Sequence, residues 1–278
     1  MISTMKRMPR GSALPPKGQK FVRRWMGGLG AALFWLGLWA AAAVGVGQPL
    51  LLPDPVSVLE TLARLVGAAA FWQAVGGSML RAVAAFGLGV VLGAALAAAA
   101  AALPPLRILL QPALAAVRAT PVSSFIILAL VWLKAGMVPV LTGTLMVLPI
   151  VWGNVSQGIQ KTDPKLLEMA RAYGFSRART LGKLYAPSVL PFFLSACVTG
   201  MGLCWKATIA AEVLGRPKGA IGAYLYDAKI FLETDALFAW TLAVILLSLT
   251  LERAFARAVR KATARGPAEG GEAGALRA

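Results

Sequence analysis

The sequence predicts an all-α polytopic membrane protein with six transmembrane helices, and three observations carry that prediction. The chain of 278 residues is 58% hydrophobic and 14% charged. A soluble domain carries roughly 45–50% apolar and about 25% charged residues, so there is too little charge here to solvate a globular surface. Six apolar stretches approach the roughly 20 residues a helix needs to cross about 30 Å of hydrocarbon. The 28 Lys and Arg, against 11 Asp and Glu, gather between those stretches and not over one polar face. That placement separates the net charge of +17 from a nucleic-acid-binding signature.

The first span covers residues 26–46 and breaks at Gly47, Gln48 and Pro49. Its apolar run of about 21 residues exceeds a signal-peptide core of about 7 to 15, despite the Ala-rich stretch near Ala40, so it reads as a retained span. The second covers about 76–103 and stops at Pro104 and Pro105. The third covers about 119–133, extended backwards toward Leu114, and the fourth 138–159. The fifth covers 188–211 and the sixth 236–256. This places a six-helix domain at 25–257, between a basic tail at 1–24 and a second tail at 258–278, both tails polar and predicted to be disordered at their ends.

Lys and Arg in short flanks stay cytoplasmic. The N-terminal flank holds Lys6, Arg7, Arg10, Lys17, Lys20, Arg23 and Arg24 without an acid, and the loop between spans four and five is also basic. So is the C-terminal flank, with Arg253, Arg257, Arg260, Lys261 and Arg265. All three share one side of a six-span arrangement, while the other side, from Asp54 to Arg64 and from Glu212 to Asp235, is close to neutral. Both termini are therefore expected in the cytoplasm.

Between spans one and two, Asp54 can cap a helix with Pro55 at its first position, and Val58, Leu59, Leu62, Leu65 and Val66 form one apolar stripe. A short interfacial helix is expected there, and another around 220–232, where Tyr224 and Tyr226 suit the water boundary. In span two, Ala85, Gly89 and Gly93 recur every fourth position, a spacing that allows close helix packing. With no His and only Cys197 and Cys204, the chain offers no His-based catalytic triad and no Cys/His metal cluster, and the thiols read as buried. No catalytic residue, metal site or cofactor is expected.

The loop at 161–187 is the most informative segment. Asp163 can cap a helix with Pro164 at its first position, and Leu166, Leu167, Ala170 and Tyr173 give it an apolar face before Gly174 ends it. A second helix follows with Phe175, Ala178, Leu181 and Leu184 on one side until Pro187 opens span five. An apolar stripe on a cytoplasmic helix-turn-helix wants a protein partner or a membrane surface.

This segment resembles the EAA loop of ABC importer permeases: Glu-Ala-Ala, three residues, Gly, nine residues, then Ile-x-Leu-Pro. Glu168, Ala170, Gly174 and Pro187 stand at the required spacing, while Met169, Leu184 and Ala186 depart from it, apolar for apolar. Softer likenesses run from about 25 to 256. Leu51-Leu52-Pro53-Asp54-Pro55 is similar to the outer segment of the nitrate/sulfonate/taurine group, and Arg118-Ala119-Thr120-Pro121 to its Arg-Pro-x-Pro approach to span three, with Ala119 departing. Trp205-Lys206, followed by the stretch from Ala210 to Gly215, is similar to its span-five ending, and Phe231 to Asp235 to its approach to the last span.

The resemblance implies a type I ABC importer permease in a bacterial inner membrane, serving a small solute such as a sulfonate, nitrate or taurine-type anion. It implies three partners: a cytoplasmic ABC ATPase subunit, a periplasmic or lipid-anchored solute-binding protein, and a second permease copy or relative. The chain has no Gly-x-x-x-x-Gly-Lys-Ser/Thr phosphate loop of its own. Glu168, Met169, Ala170, Gly174, Leu184 and Pro187 would form the ATPase-coupling loop, with Glu168 satisfying backbone donors at the helix start or pairing with a basic group. Lys206 lies deep in span five, where an ionisable residue faces a cavity or a partner. Lys206, Trp205 and Arg118 are the pathway candidates; for Lys206 the structural alternatives are snorkelling or pairing with Glu212, and for Arg118 and Arg81 snorkelling to the interface. A secondary transporter is the competing class, but it needs intramembrane acids or repeats, and spans one to four contain no acid. A membrane enzyme lacks candidate catalytic pairs.

Overall fold

The computed structural model describes residues 17–263, with side chains over residues 30–261; the predicted tail ends at 1–16 and 264–278 lie outside the described residues. The chain divides at Ser57/Val58 into two compact units.

In the first unit, α1 (Lys17–Val46) begins inside the predicted N-terminal tail, because Lys, Gln and Arg are good helix formers and no proline follows Pro16 until Pro49. It ends at Gly47, whose φ of 64° is a left-handed conformation that glycine adopts without strain. The Trp39 indole donates to Pro53 O at 3.1 Å. Asp54 Oδ1 accepts the Val56 and Ser57 N–H groups at 2.7 and 2.8 Å, the expected N-cap of α2 (Pro55–Gly67).

The second unit is built on three long helices: α3 (Ala69–Ala102), α6 (Val138–Gln160) and α9 (Ala186–Gly215). Between α3 and α6 lie α4 (Pro104–Ala119) and α5 (Val122–Trp132); between α6 and α9 lie α7 (Pro164–Ala172), α8 (Arg177–Thr180) and a π-turn at Leu181–Tyr185. The chain continues through α10 (Ile221–Ile230) to α11 (Thr234–Thr263), which carries the helix into the predicted C-terminal tail.

Small residues set how closely the three long helices approach. A Cβ on Gly89 would lie 2.6 Å from Val147 Cβ, and one on Gly93 would lie 2.7 Å from Leu148 O. Thr144 Oγ1 donates to Ala85 O at 3.2 Å. The Ala85/Gly89/Gly93 series is thus the parallel α3–α6 seam, where backbones meet as packing in lipid demands. On the antiparallel α6–α9 seam, Gly143 faces Cys204 and Thr208, and Gly158 faces Val189 and Phe192. Both thiols are free and buried, as expected.

Among the described residues, four helices are long and apolar enough to cross a membrane: α3, α6, the run Arg177–Gly215, and α11. The third predicted span needs correction. It is α4 and α5, bent by 105° at Thr120–Pro121, and α5 alone has 11 residues. Pro121 drives its predecessor out of the helical region, and Thr120 has ψ 130°. Counting the bent pair as one span gives up to five crossings among the described residues, and Gly30–Val46 of α1 is a further apolar helix. The stripe on α2 also divides: Leu62 and Leu65 pack on the core, whereas Leu59 and Val66 are exposed. Tyr224 is half-buried and stacks on Trp240 with centroids 5.1 Å apart, while Tyr226 lies under the Arg216 guanidinium at 4.4 Å.

Candidate functional site

The loop carrying the expected motif is a capped helix, a left-handed turn and a second helix. Asp163 Oδ1 accepts the Lys165 N–H at 2.9 Å, and Pro164 occupies the first turn of α7. At the other end, Phe175 N–H donates to Ala170 O at 2.8 Å and Gly174 N–H to Arg171 O at 3.1 Å. These two bonds are the Schellman pattern, and Gly174 supplies the φ of 64° it needs. Ala170 is buried beneath this closure. Ser176 then caps α8 by accepting the Arg179 N–H at 3.3 Å.

Two expectations change here. The apolar face of α7 is split: Leu167 and Ala170 turn inward, while Leu166, Met169 and Tyr173 are exposed along one side. Glu168 is exposed in mid-helix, so capping falls to Asp163 and not to Glu168. Pro187 stands in the first turn of α9, as expected, but no break precedes it. The chain passes it through the π-turn, where Ala186 N–H donates to Leu181 O, five residues back. That wider turn admits proline rings that a regular helix would press against the carbonyl four residues earlier. Leu184 is half-buried and Pro187 exposed on this continuous rod, which runs unbroken to Gly215.

Along α9, Ser195, Thr199, Leu203, Lys206 and Ala210 form the exposed face. Lys206 Nζ lies 3.9 Å from Glu252 Oε1 on α11, with side chains 66% and 37% exposed. The predicted alternative partner of Lys206, Glu212, is elsewhere. Its side chain is fully buried; Oε1 accepts from Arg81 at 2.7 Å, and Oε2 accepts from the Ser78 hydroxyl at 2.7 Å and the Gly222 N–H at 3.3 Å. Ser78 Oγ also accepts the Ile221 N–H at 3.0 Å. Arg81 therefore does not snorkel; it closes a buried polar knot joining α3, α9 and α10.

Trp205 is not on the open face. It is 0% exposed, in a cluster with Phe71, Ile209, Ile221 and Trp240, and its indole N–H has no hydrogen-bond partner among the described residues. Arg118 donates to Pro149 O at 2.7 Å, tying the α4–α5 elbow to the proline-containing turn of α6. The knot and Glu252 were missed from sequence. The available signal was an acid at the end of span five, Glu212, and another within span six, Glu252.

This bundle of long apolar helices, with a capped helix-turn-helix between two of them, is that of a polytopic membrane protein. The chain belongs to the family described as binding-protein-dependent transport system inner membrane component, whose model matches residues 89–263. It is 27% identical over 220 residues to the taurine transport system permease protein TauC of Escherichia coli (strain K12), covering 77% of this chain and 80% of that protein. It is 27% identical over 245 residues to the putative aliphatic sulfonates transport permease protein SsuC of Bacillus subtilis (strain 168), covering 84% and 88%. Two solved structures share the fold. One is an amino acid ABC transporter, with a TM-score of 0.57 at 18% identity over 69% of this chain and 94% of that one. The other is the inward-facing MetNI methionine ABC transporter, at 0.56 and 15% over 73% and 96%. The chain is a permease component of an ABC importer for a small solute.

Proposed function

We propose that α7 and the Gly174 turn dock into a cytoplasmic ABC ATPase subunit, and that the π-turn and α9 carry the motion of its nucleotide cycle into the membrane. The observation behind this reading is the exposed edge of Leu166, Met169 and Tyr173, 41%, 40% and 76% exposed, held rigid by caps at both ends of α7. Such an edge fits a groove on a partner as a helix ligand does. Glu168 and Met169 meet the ATPase, Ala170 and Gly174 hold the turn, and Leu184 and Pro187 lie on the rod that follows. Hydrolysis belongs to the ATPase subunit. The loop and both termini are cytoplasmic, consistent with their Lys and Arg content.

The pathway runs along the open face of α9, past Lys206, against a second permease copy or relative. The solute is a small sulfonate-type anion, delivered by a soluble or lipid-anchored binding protein; the names of the two relatives and the exposed Lys206 ammonium on that face support that class. Trp205 and Arg118 act behind this face, as packing and as a tether.

The test is uptake with Gly174→Val and Glu168→Lys in the intact transporter. Both substitutions are expected to abolish uptake and reduce ATPase co-purification while membrane insertion stays normal. Wild-type uptake in both overturns the coupling assignment.

A further inference from the structure

Two of the ion pairs among the described residues, Arg81–Glu212 and Lys206–Glu252, are built for different purposes. Arg81 and Glu212 meet at 2.7 Å with side-chain exposures of 17% and 0%, and the acid's remaining contacts are filled by Ser78 and Gly222. Lys206 and Glu252 meet at 3.9 Å, at the limit of ionic contact, and both remain open. Yet Glu252 is seated with care. The Ser248 hydroxyl donates to its Oε1 at 3.2 Å, and a Cβ on Gly202 would lie 2.6 Å from that same oxygen. α9 thus has glycine where the carboxylate rests, one turn from the lysine it faces. Ser195 and Thr199 continue the same exposed side of α9. Polar and charged groups on a helix in hydrocarbon are costly unless they face a cavity or a partner.

We propose that Glu252 contacts the transported solute, and that Lys206 and Glu252 together form a subsite for a small zwitterion, a cationic amine a few ångströms from a sulfonate or carboxylate. This rests on the reading of α9 as a wall of the pathway. A solitary lysine would draw in any anion. Beside its own carboxylate it is already compensated, so a plain monoanion must displace Glu252 and leave that charge without a partner, which is expensive at low dielectric. A zwitterion replaces both partners at once: its acid accepts from Lys206 Nζ while its ammonium donates to Glu252. The long, open contact between the two residues makes that exchange inexpensive, as the closed Arg81–Glu212 pair does not.

The experiment uses the complete transporter in liposomes, with its ATPase and binding protein, and reads uptake of 2-aminoethanesulfonate and of ethanesulfonate beside ATP hydrolysis. Glu252→Gln is expected to retain ATP hydrolysis and to lower 2-aminoethanesulfonate uptake about tenfold relative to ethanesulfonate uptake, the low end of what losing a hydrogen bond to a charged group costs, because the monoanion no longer has a carboxylate to displace. Gly202→Ala keeps the charge but pushes the carboxylate from its seat, and is expected to act in the same direction; it decides the matter alone if Glu252→Gln fails to assemble. Undiminished 2-aminoethanesulfonate uptake, or equal loss for both solutes, overturns the proposal, as does a wild-type transporter that does not carry 2-aminoethanesulfonate. Lys206→Met with unchanged uptake of both solutes instead overturns the pathway reading beneath it.

Discussion

Arg81 and Glu212, 131 residues apart in the chain, form a 2.7 Å ion pair whose carboxylate is completely buried. Around it, Ser78 donates to the acid and accepts from Ile221, so the residue that helps hold the charge also anchors the start of α10. One side chain from α9 thereby positions three elements. Gly222 is required at that point, because a Cβ there would lie 2.4 Å from Glu212 Cβ.

Removing one partner of this knot should therefore cost far more than removing both. Glu212→Ala leaves the Arg81 guanidinium, the Ser78 hydroxyl and the Gly222 N–H without their acceptor, and a loss of about 3–5 kcal/mol is expected. Arg81→Met combined with Glu212→Leu removes the charges together and should recover most of that loss. Thermal unfolding in detergent checks it, and equal melting temperatures for the single and double variants would count against a knot that works by charge compensation.

The α3–α6 seam makes a steric prediction. Since a Cβ on Gly89 would lie 2.6 Å from Val147 Cβ, Gly89→Ala should destabilise by about 1–3 kcal/mol, as overpacking does. Val147→Gly removes the opposing Cβ together with its methyl groups and should relieve part of that cost when combined with it. A double variant no more stable than Gly89→Ala would show that the seam does not depend on this contact.

Much of this architecture could be read in the sequence because hydropathy and proline or glycine breaks are local signals. The caps of α7 were legible for that reason: Asp163-Pro164 and Gly174 each act within one turn. The bend at Thr120–Pro121 carried an equally local signal, but the apolar stretch continues across it and suggested one helix. The polar knot was illegible because it joins residues far apart in sequence. Pairing of Lys206 with Glu212 could have been excluded from helix geometry, since six residues at about 3.6 per turn place the two on different faces of α9. Which face each residue takes depends on neighbours that only the folded chain supplies.

Trp205 distinguishes packing from pathway. Trp205→Ala should cost about 3–5 kcal/mol, as truncation of a buried aromatic does. Trp205→Phe loses volume but also removes a buried N–H that has no partner among the described residues, so the two effects oppose each other and little net change is expected. Uptake by the Trp205→Phe transporter should match wild type; a selective loss for one solute, with unchanged melting, would place the indole in contact with cargo.

Arg118 gives the last prediction. Its guanidinium donates to Pro149 O at 2.7 Å, and a Cβ on Gly153 would sit 3.0 Å from the same nitrogen, so the arginine lies against α6 one turn beyond its proline. Hydrogen bonds from charged donors are worth about 1.5–3 kcal/mol, and Arg118→Met should lower stability by that order. Because the tether joins the α4–α5 elbow to α6, its loss should loosen both. Hydrogen exchange is expected to quicken around residues 116–124 and 149–153 while the Arg81–Glu212 region is unchanged. Loss of uptake without any change in exchange would assign Arg118 to solute binding and not to this tether.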